Sequence, residues 1–218
     1  MLNDKIIKQS VLDLIREIKI FVKHIFASLY LRYLLGTRQS IWLELGGGIN
    51  KKKGWINIDL YGKGNLHLDL RRPMPFPDNS VDRIYTEHFL EHFSYTDLIE
   101  LLKECFRILK VGGTFSSAVP DAGRVFRAYV KGKENFYDKK YWSSPDWCKC
   151  PMDELNWLIY MDGEHNFMFD EENLILRLKE VGFSDVNIRN YDSSIDNYER
   201  KNQSIYIVAI KNQSKWKQ

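Results

Sequence analysis

Apolar positions divide the chain into two regimes. Over residues 6–35, Ile7, Val11, Leu14, Ile15, Ile18, Val22, Ile25 and Leu29 recur at steps of three and four, which places them on one face of a long helix. Lys5, Lys8, Asp13, Arg16 and Lys23 fall largely on the opposite face. After Gln39 short apolar runs take over, and those at 41–45, 55–58, 66–68, 81–85, 114–119, 183–189 and 204–210 read as seven strands. Ser94 and Asp97 open a helical stretch whose inward face is Leu98, Leu101, Leu102, Cys105, Ile108 and Leu109. A further helix over 171–181 is stopped by Gly182. Strands separated by helices predict an α/β domain.

The first strand runs into Gly46, Gly47 and Gly48, which cannot continue it cheaply and which let a ligand approach the backbone. The second closes on Asp59, so a carboxylate stands at a strand's carboxyl end, the ligand edge of open α/β sheets. The spacing argues against a dinucleotide. Its third glycine position is held by Lys51, and Asp59 follows Gly48 by eleven residues, against about 20 in that fingerprint. What remains is an acid, Gly-x-Gly and a second acid, namely Glu44, Gly46, Gly48 and Asp59. This ordered set resembles the motif of class I S-adenosylmethionine-dependent methyltransferases, in particular the small type-11-like group, and the likeness extends over about residues 41–211.

The resemblance implies a Rossmann-like three-layer sandwich with a seven-stranded, mostly parallel sheet and an antiparallel last strand. An N-terminal helix would occupy 1–38 and the methyltransferase domain 39–211, with an aromatic lid insert at 122–164 and a tail at 212–218. S-adenosyl-L-methionine is the cofactor it implies, held by Glu44, Gly46, Gly47, Gly48, Asp59, Leu60, Asp69, Leu70 and Glu87. An ionised carboxylate only accepts hydrogen bonds, which suits Asp59 to two ribose hydroxyls. Asp69 would take the adenine amino group, and the Leu70 N–H the ring. Glu87, His88, His92, Arg107, Gly112 and Gly113 fall where relatives carry an acid-His pair, a second His, a late helical Arg and a turn; Val111 replaces their proline. Gly112 and Gly113 are expected to end the helix, and Arg107 to be a structural ion-pair partner. Because the sulfonium methyl is already activated, positioning the acceptor does most of the work. A base is needed only where the acceptor must lose a proton, and His88, His92, Asp121 and His165 are the candidates.

Other readings compete. His88, Glu91 and His92 spell H-x-x-E-H, the inverted zinc-peptidase motif, which needs both histidines on one helix. A strand ending about three residues earlier and a helix start at Ser94 argue against it, so no metal site is assigned and a zinc hydrolase stays an alternative. A non-catalytic methyltransferase-like binding module is another. The formal charge of +3 divides into +4 over residues 1–40 and −1 over the rest, and basic residues are not interleaved with aromatics in one patch, which disfavours nucleic acid. Three cysteines form no even-numbered framework and favour a reducing, cytoplasmic setting. Charged residues break the first helix too often for a spanning segment. That helix is expected to cover its own domain, the alternative being peripheral contact with an anionic membrane at its inner face. The expected acceptor is a small molecule or a lipid-linked glycan precursor, the latter by analogy with relatives in polysaccharide synthesis.

Overall fold

The computed structural model describes residues 2–37, 39–48, 52–60, 64–132 and 143–212. In chain order the elements are α1 (Leu2–Thr37), β1 (Trp42–Leu45), β2 (Ile56–Ile58), β3 (Val81–Glu87), α2 (Tyr95–Ile108) and β4 (Leu109–Pro120). Then come α3 (Ala122–Val130), α4 (Pro151–Tyr160), α5 (Glu171–Glu180), β5 (Asp185–Ile188) and β6 (Ser204–Ile210). The sheet order is β2-β1-β3-β4-β6-β5. Strands β1 to β4 pair in parallel, while β6 runs antiparallel to both neighbours.

This is the expected Rossmann-like sheet with its last strand reversed, but it has six strands and not seven. The stretch 66–68 contributes a single parallel bridge, from Leu66 to Ile58. The chain turns at once, with the Arg72 N–H bonded to the Asp69 carbonyl at 3.1 Å, so no ladder can grow beyond β2. Strands β1 and β2 are buried along nearly their whole length, as parallel strands covered on both faces must be.

Helix α2 starts as expected, with the Ser94 hydroxyl capping the Asp97 N–H at 3.2 Å. Its other end differs. The helix stops at Ile108 and β4 begins at the next residue, before the two glycines. Pairing with β3 then slips from Val81↔Leu109 to Arg83↔Thr114, and Gly112, at φ +82°, takes up the extra residues. The glycines therefore form an irregularity within the strand.

Lys211 closes the helix instead. Fully buried, its Nζ donates to the carbonyls of Phe106 at 2.6 Å, Leu109 at 2.7 Å and Arg107 at 3.2 Å, and to Asn79 Oδ1 at 2.9 Å. Lys211→Met keeps the apolar stem and leaves those acceptors without their donor. We expect it to lower unfolding free energy by about 2–4 kcal/mol, read by urea denaturation with an unchanged m-value. Arg107 is the structural partner the sequence predicts, bonded to Glu104, Asp78 and the carbonyls of Met74 and Phe76.

Helix α1 departs from expectation. Among the described side chains only Ile20, Ala27, Leu31 and Leu34 are buried, whereas Ile7, Val11, Leu14, Ile15, Ile18, Val22, Ile25 and Leu29 are exposed. The periodic face is real, but among the described residues nothing covers it, and packing is confined mainly to the last three turns. An ion pair between Glu17 and Arg72 adds a further tie to the domain. Residues 122–164, expected to be irregular, contain α3 and α4, which pack around Trp157 with Val125, Ala128 and Tyr129. Phe136, Tyr137, Tyr141 and Trp142 lie outside the described residues.

Candidate functional site

The glycine loop leaves β1 at the carboxyl edge of the sheet. Gly46 and Gly48 have φ of +70° and +57°, and the Gly48 N–H donates to Asp59 Oδ2 at 3.1 Å. The acid ending β2 thus already holds the loop that follows β1. Gly47 has no room for a side chain, since a Cβ there would lie 2.4 Å from Asn57 Nδ2 and 2.7 Å from the Glu44 carboxyl carbon. At Gly46 a Cβ would meet the Phe89 ring at 2.1 Å. Beyond Gly48 the space is open.

Two cavities flank this loop. The first, about 420 Å³, is lined by Glu44, the three glycines, Lys52, Glu87, His88 and the 193–197 loop with Arg200. The second, about 660 Å³, takes in Asp59, Leu60, Asp69, Leu70, Phe89 and His92. The Phe89 ring lines the second and rests on Gly46, which lines the first, so it marks their meeting point. All nine residues expected at the cofactor line one cavity or the other.

The charges there are unevenly satisfied. Glu44 is buried, with one carboxylate oxygen bonded to Lys52 and the other without a partner among the described residues. Glu87 Oε1 accepts from the Asn197 N–H at 2.9 Å. Asp69 is more committed than expected, because Arg71 grips it through Nε at 2.9 Å and Nη2 at 2.7 Å and through its backbone N–H at 3.1 Å. The Arg71 hydrogen bonds outweigh burial and hold the Asp69 carboxyl below the ordinary carboxylate range. Its contribution to folding is therefore present above the unfolded pKa and lost only as pH falls through the depressed folded one.

The four candidate bases separate. His88, at φ +48°, precedes the one-turn 3-10 helix Leu90–His92, so H-x-x-E-H does not lie on a single helix and its two histidines do not share a helical face. The side chain of His88 is 12% exposed, and desolvation, followed by Arg200, His165 and His92, pushes its pKa well below the usual value. Its Nε2 lies 2.8 Å from Ser204 Oγ. Because that hydroxyl already donates to the Arg200 carbonyl, the imidazole donates to it, and Nδ1 keeps the lone pair. His92 is exposed and packs edge-on against His165, with ring centroids 5.2 Å apart. Burial, then His92, lowers the pKa of His165. Asp121 stands apart: it caps α3 by accepting the Arg124 N–H at 2.7 Å, pairs with Arg127 at 3.6 Å, and lines neither cavity.

Several lining residues escape sequence reasoning. Phe89 reads as one more apolar residue, Lys52 as part of a solvated lysine run, and 193–197 as part of a polar hairpin connection. That connection is in fact fixed over the first cavity. Asp196 is fully buried, paired with Arg189 at 2.6 and 2.7 Å, and accepts the Tyr85 hydroxyl at 2.9 Å.

A parallel sheet with its last strand reversed, and a glycine loop tied to the acid ending the neighbouring strand, give a Rossmann-like fold with a built ligand edge. Comparison with known proteins agrees. A methyltransferase domain of type 11 matches residues 54–117, which run from just before β2 into β4 and begin after the glycine loop. A SAM-dependent methyltransferase from Archaeoglobus fulgidus is 18% identical, with 86% of this chain and 94% of that one covered and a TM-score of 0.51. Phosphoethanolamine N-methyltransferase 2 of Haemonchus contortus, solved with S-adenosyl-L-methionine, is 14% identical over 85% of this chain and 52% of its own, with a TM-score of 0.50. The present chain spans about half the length of that enzyme. At these identities the likeness establishes the fold. No curated protein matches the chain. The chain thus carries a methyltransferase-domain match over residues 54–117 on the fold of S-adenosylmethionine-dependent methyltransferases.

Proposed function

We propose that the enzyme transfers the methyl group to an oxygen or nitrogen of a small molecule or glycan precursor. The observation that carries this reading is the pair of cavities meeting at the glycine loop. The zwitterionic methionine end suits the first: Lys52 and Arg200 match its carboxylate, while Glu44 and Glu87 match its ammonium group. Adenosine suits the second, with Asp59 for the ribose and Leu70 beside the ring. Of the four candidates His88 lines the first cavity, where its imidazole, held neutral by desolvation, can orient an acceptor. Incubation with methyl-labelled S-adenosylmethionine and a panel of nucleotide sugars, lipid-linked glycans and small amines tests the acceptor. Label appearing in a glycan or small molecule supports the reading. Intact cofactor binding with no transfer to any member counts against it.

Helix α1 supports a place for that acceptor. Among the described residues no helix is long and apolar enough to cross a membrane. The exposed Ile18, Phe21, Val22 and Ile25, with Lys19 and Lys23 nearby, fit instead a helix lying on an anionic bilayer and meeting a lipid-linked substrate there. The double variant Ile18→Glu, Phe21→Glu changes only exposed positions. It should reduce flotation with anionic liposomes by roughly tenfold or more while leaving the melting temperature unchanged. Equal flotation of the two proteins would remove the membrane from the account.

A further inference from the structure

Beside the cofactor cavities lies a carboxyl group that no side chain completes. Glu91 is buried in the 3-10 turn Leu90–His92, and among the described residues no charged side chain or side-chain hydrogen-bond donor completes its carboxylate. Such a group is costly unless a hydrogen-bonding or charged species meets it. Two imidazoles do converge there. One ligand atom each from Glu91, His92 and His165 lie within 4.8 Å of one another.

The arrangement is built by the backbone. The Glu91 carbonyl accepts the Asn166 N–H at 2.7 Å and the Phe167 N–H at 3.1 Å, while Asn166 Nδ2 donates to the His92 carbonyl at 2.9 Å. These bonds stitch the 164–167 segment to the turn and bring His165 to a partner more than seventy residues earlier. His92 Nδ1 lies 3.0 Å from the Glu164 carbonyl. A carbonyl only accepts, so Nδ1 carries the proton and Nε2 keeps the lone pair, the tautomer a metal-binding histidine needs. On the far side His88 Nδ1 lies 4.0 Å from Glu91 Oε1, adding a neutral imidazole and no compensating charge.

We propose that Glu91, His92 and His165 bind one divalent first-row cation of the manganese, cobalt or zinc class. Two imidazoles with one carboxylate select such ions over magnesium or calcium. Ligands about 2.1 Å from an ion are about 3.4 Å apart in a tetrahedral site and at most about 4.2 Å apart, so the longest separation closes by about 0.6–1.4 Å on binding. Glu91 and His165 border a cavity of about 30 Å³, room for one small ion and little else. His92, exposed and lining the second cavity, leaves the remaining coordination positions open on that side. Binding requires the ionised carboxylate, so any proton on Glu91 leaves to solvent as the ion enters. The site's use in methyl transfer rests on the function proposed above, whereas its existence does not. There the cation would draw in an acceptor hydroxyl and lower its pKa, so that its proton passes to solvent and the oxygen takes the methyl as the S–C bond breaks, the electron pair staying on sulfur as the neutral thioether. H-x-x-E-H was thus half informative: Glu91 and His92 belong together, and His165 takes the place that spacing gives to His88.

The test is titration of chelator-stripped full-length protein with Co²⁺, followed by calorimetry and by visible absorption, beside Glu91→Gln, His165→Gln and His92→Gln. One equivalent bound, with ligand-field bands that weaken or vanish in each variant and affinity reduced on the order of 100-fold, is expected. No stoichiometric binding, or equal binding by wild type and the variants, overturns the site. His92 is exposed, so its variant decides the matter even where a buried substitution impairs folding. S-adenosylmethionine binding is measured in parallel with Glu91→Gln and His165→Gln, neither of which borders the cofactor cavities. Co²⁺ binding without cofactor binding would uphold the metal site and reject the methyl-transfer reading; cofactor binding alone would do the reverse.

Discussion

Replacing Asp59 with alanine is expected to abolish measurable binding of S-adenosylmethionine and of its demethylated product by a protein that remains folded. Two charge-assisted hydrogen bonds to ribose hydroxyls are worth about 1.5–3 kcal/mol each, so affinity should fall by about 10²–10⁴-fold. The side chain acts on the free protein as well, because its carboxylate anchors the Gly48 N–H at 3.1 Å across the sheet edge. Losing that anchor frees a loop whose φ angles at Gly46 and Gly48 are otherwise set for a ligand. Asp59 is only partly buried, so the melting temperature should change little. Isothermal titration separates the outcomes: unchanged affinity in Asp59→Ala would mean that the cofactor does not use this edge of the sheet.

Local pattern carried much of this architecture and fell silent at identifiable points. Glycines in series and acids ending strands are short-range signals, and Gly46 and Gly48 do leave β1 at φ above zero, Asp59 does end β2, and Ser94 does cap α2. Periodicity reports that a face exists, but not what covers it. The face of α1 led by Ile7 and Val11 is therefore legible, while its exposure is not. Gly112 was ambiguous for a related reason: φ above zero serves a helix end and a strand irregularity equally, and only pairing with β3 decides. The helix terminus itself is closed by Lys211, 102 positions from the Leu109 carbonyl it serves. No window along the chain could have joined them. The same holds for His165 and for the loop over the first cavity, whose anchor spans 111 positions from Tyr85 to Asp196.

That anchor is where the largest stability loss is expected. Asp196 is fully buried and accepts from both Nη atoms of Arg189, from the Tyr85 hydroxyl and from the Asp192 N–H at 2.7 Å. Burial together with Asp196 and Glu87 raises the Tyr85 pKa far above its ordinary value, so the phenol remains a donor. Asp196→Ala leaves Arg189, whose side chain is only 16% exposed, without its counter-charge and Tyr85 without its acceptor. Breaking a buried pair from one side costs about 3–5 kcal/mol, most of it the penalty of the stranded charge. Removing both charges in Arg189→Met, Asp196→Leu should recover part of that loss, because the desolvation penalty goes with them. Cofactor affinity is expected to fall in both proteins, since either change releases the 193–197 loop and with it the Asn197 N–H that holds Glu87. Urea denaturation and calorimetry on the same samples distinguish the effects. A double variant as unstable as the single would show that the pair contributes net stability and is not merely costly to break. Unchanged affinity in both would mean that the loop closes over the cavity without help from Asp196.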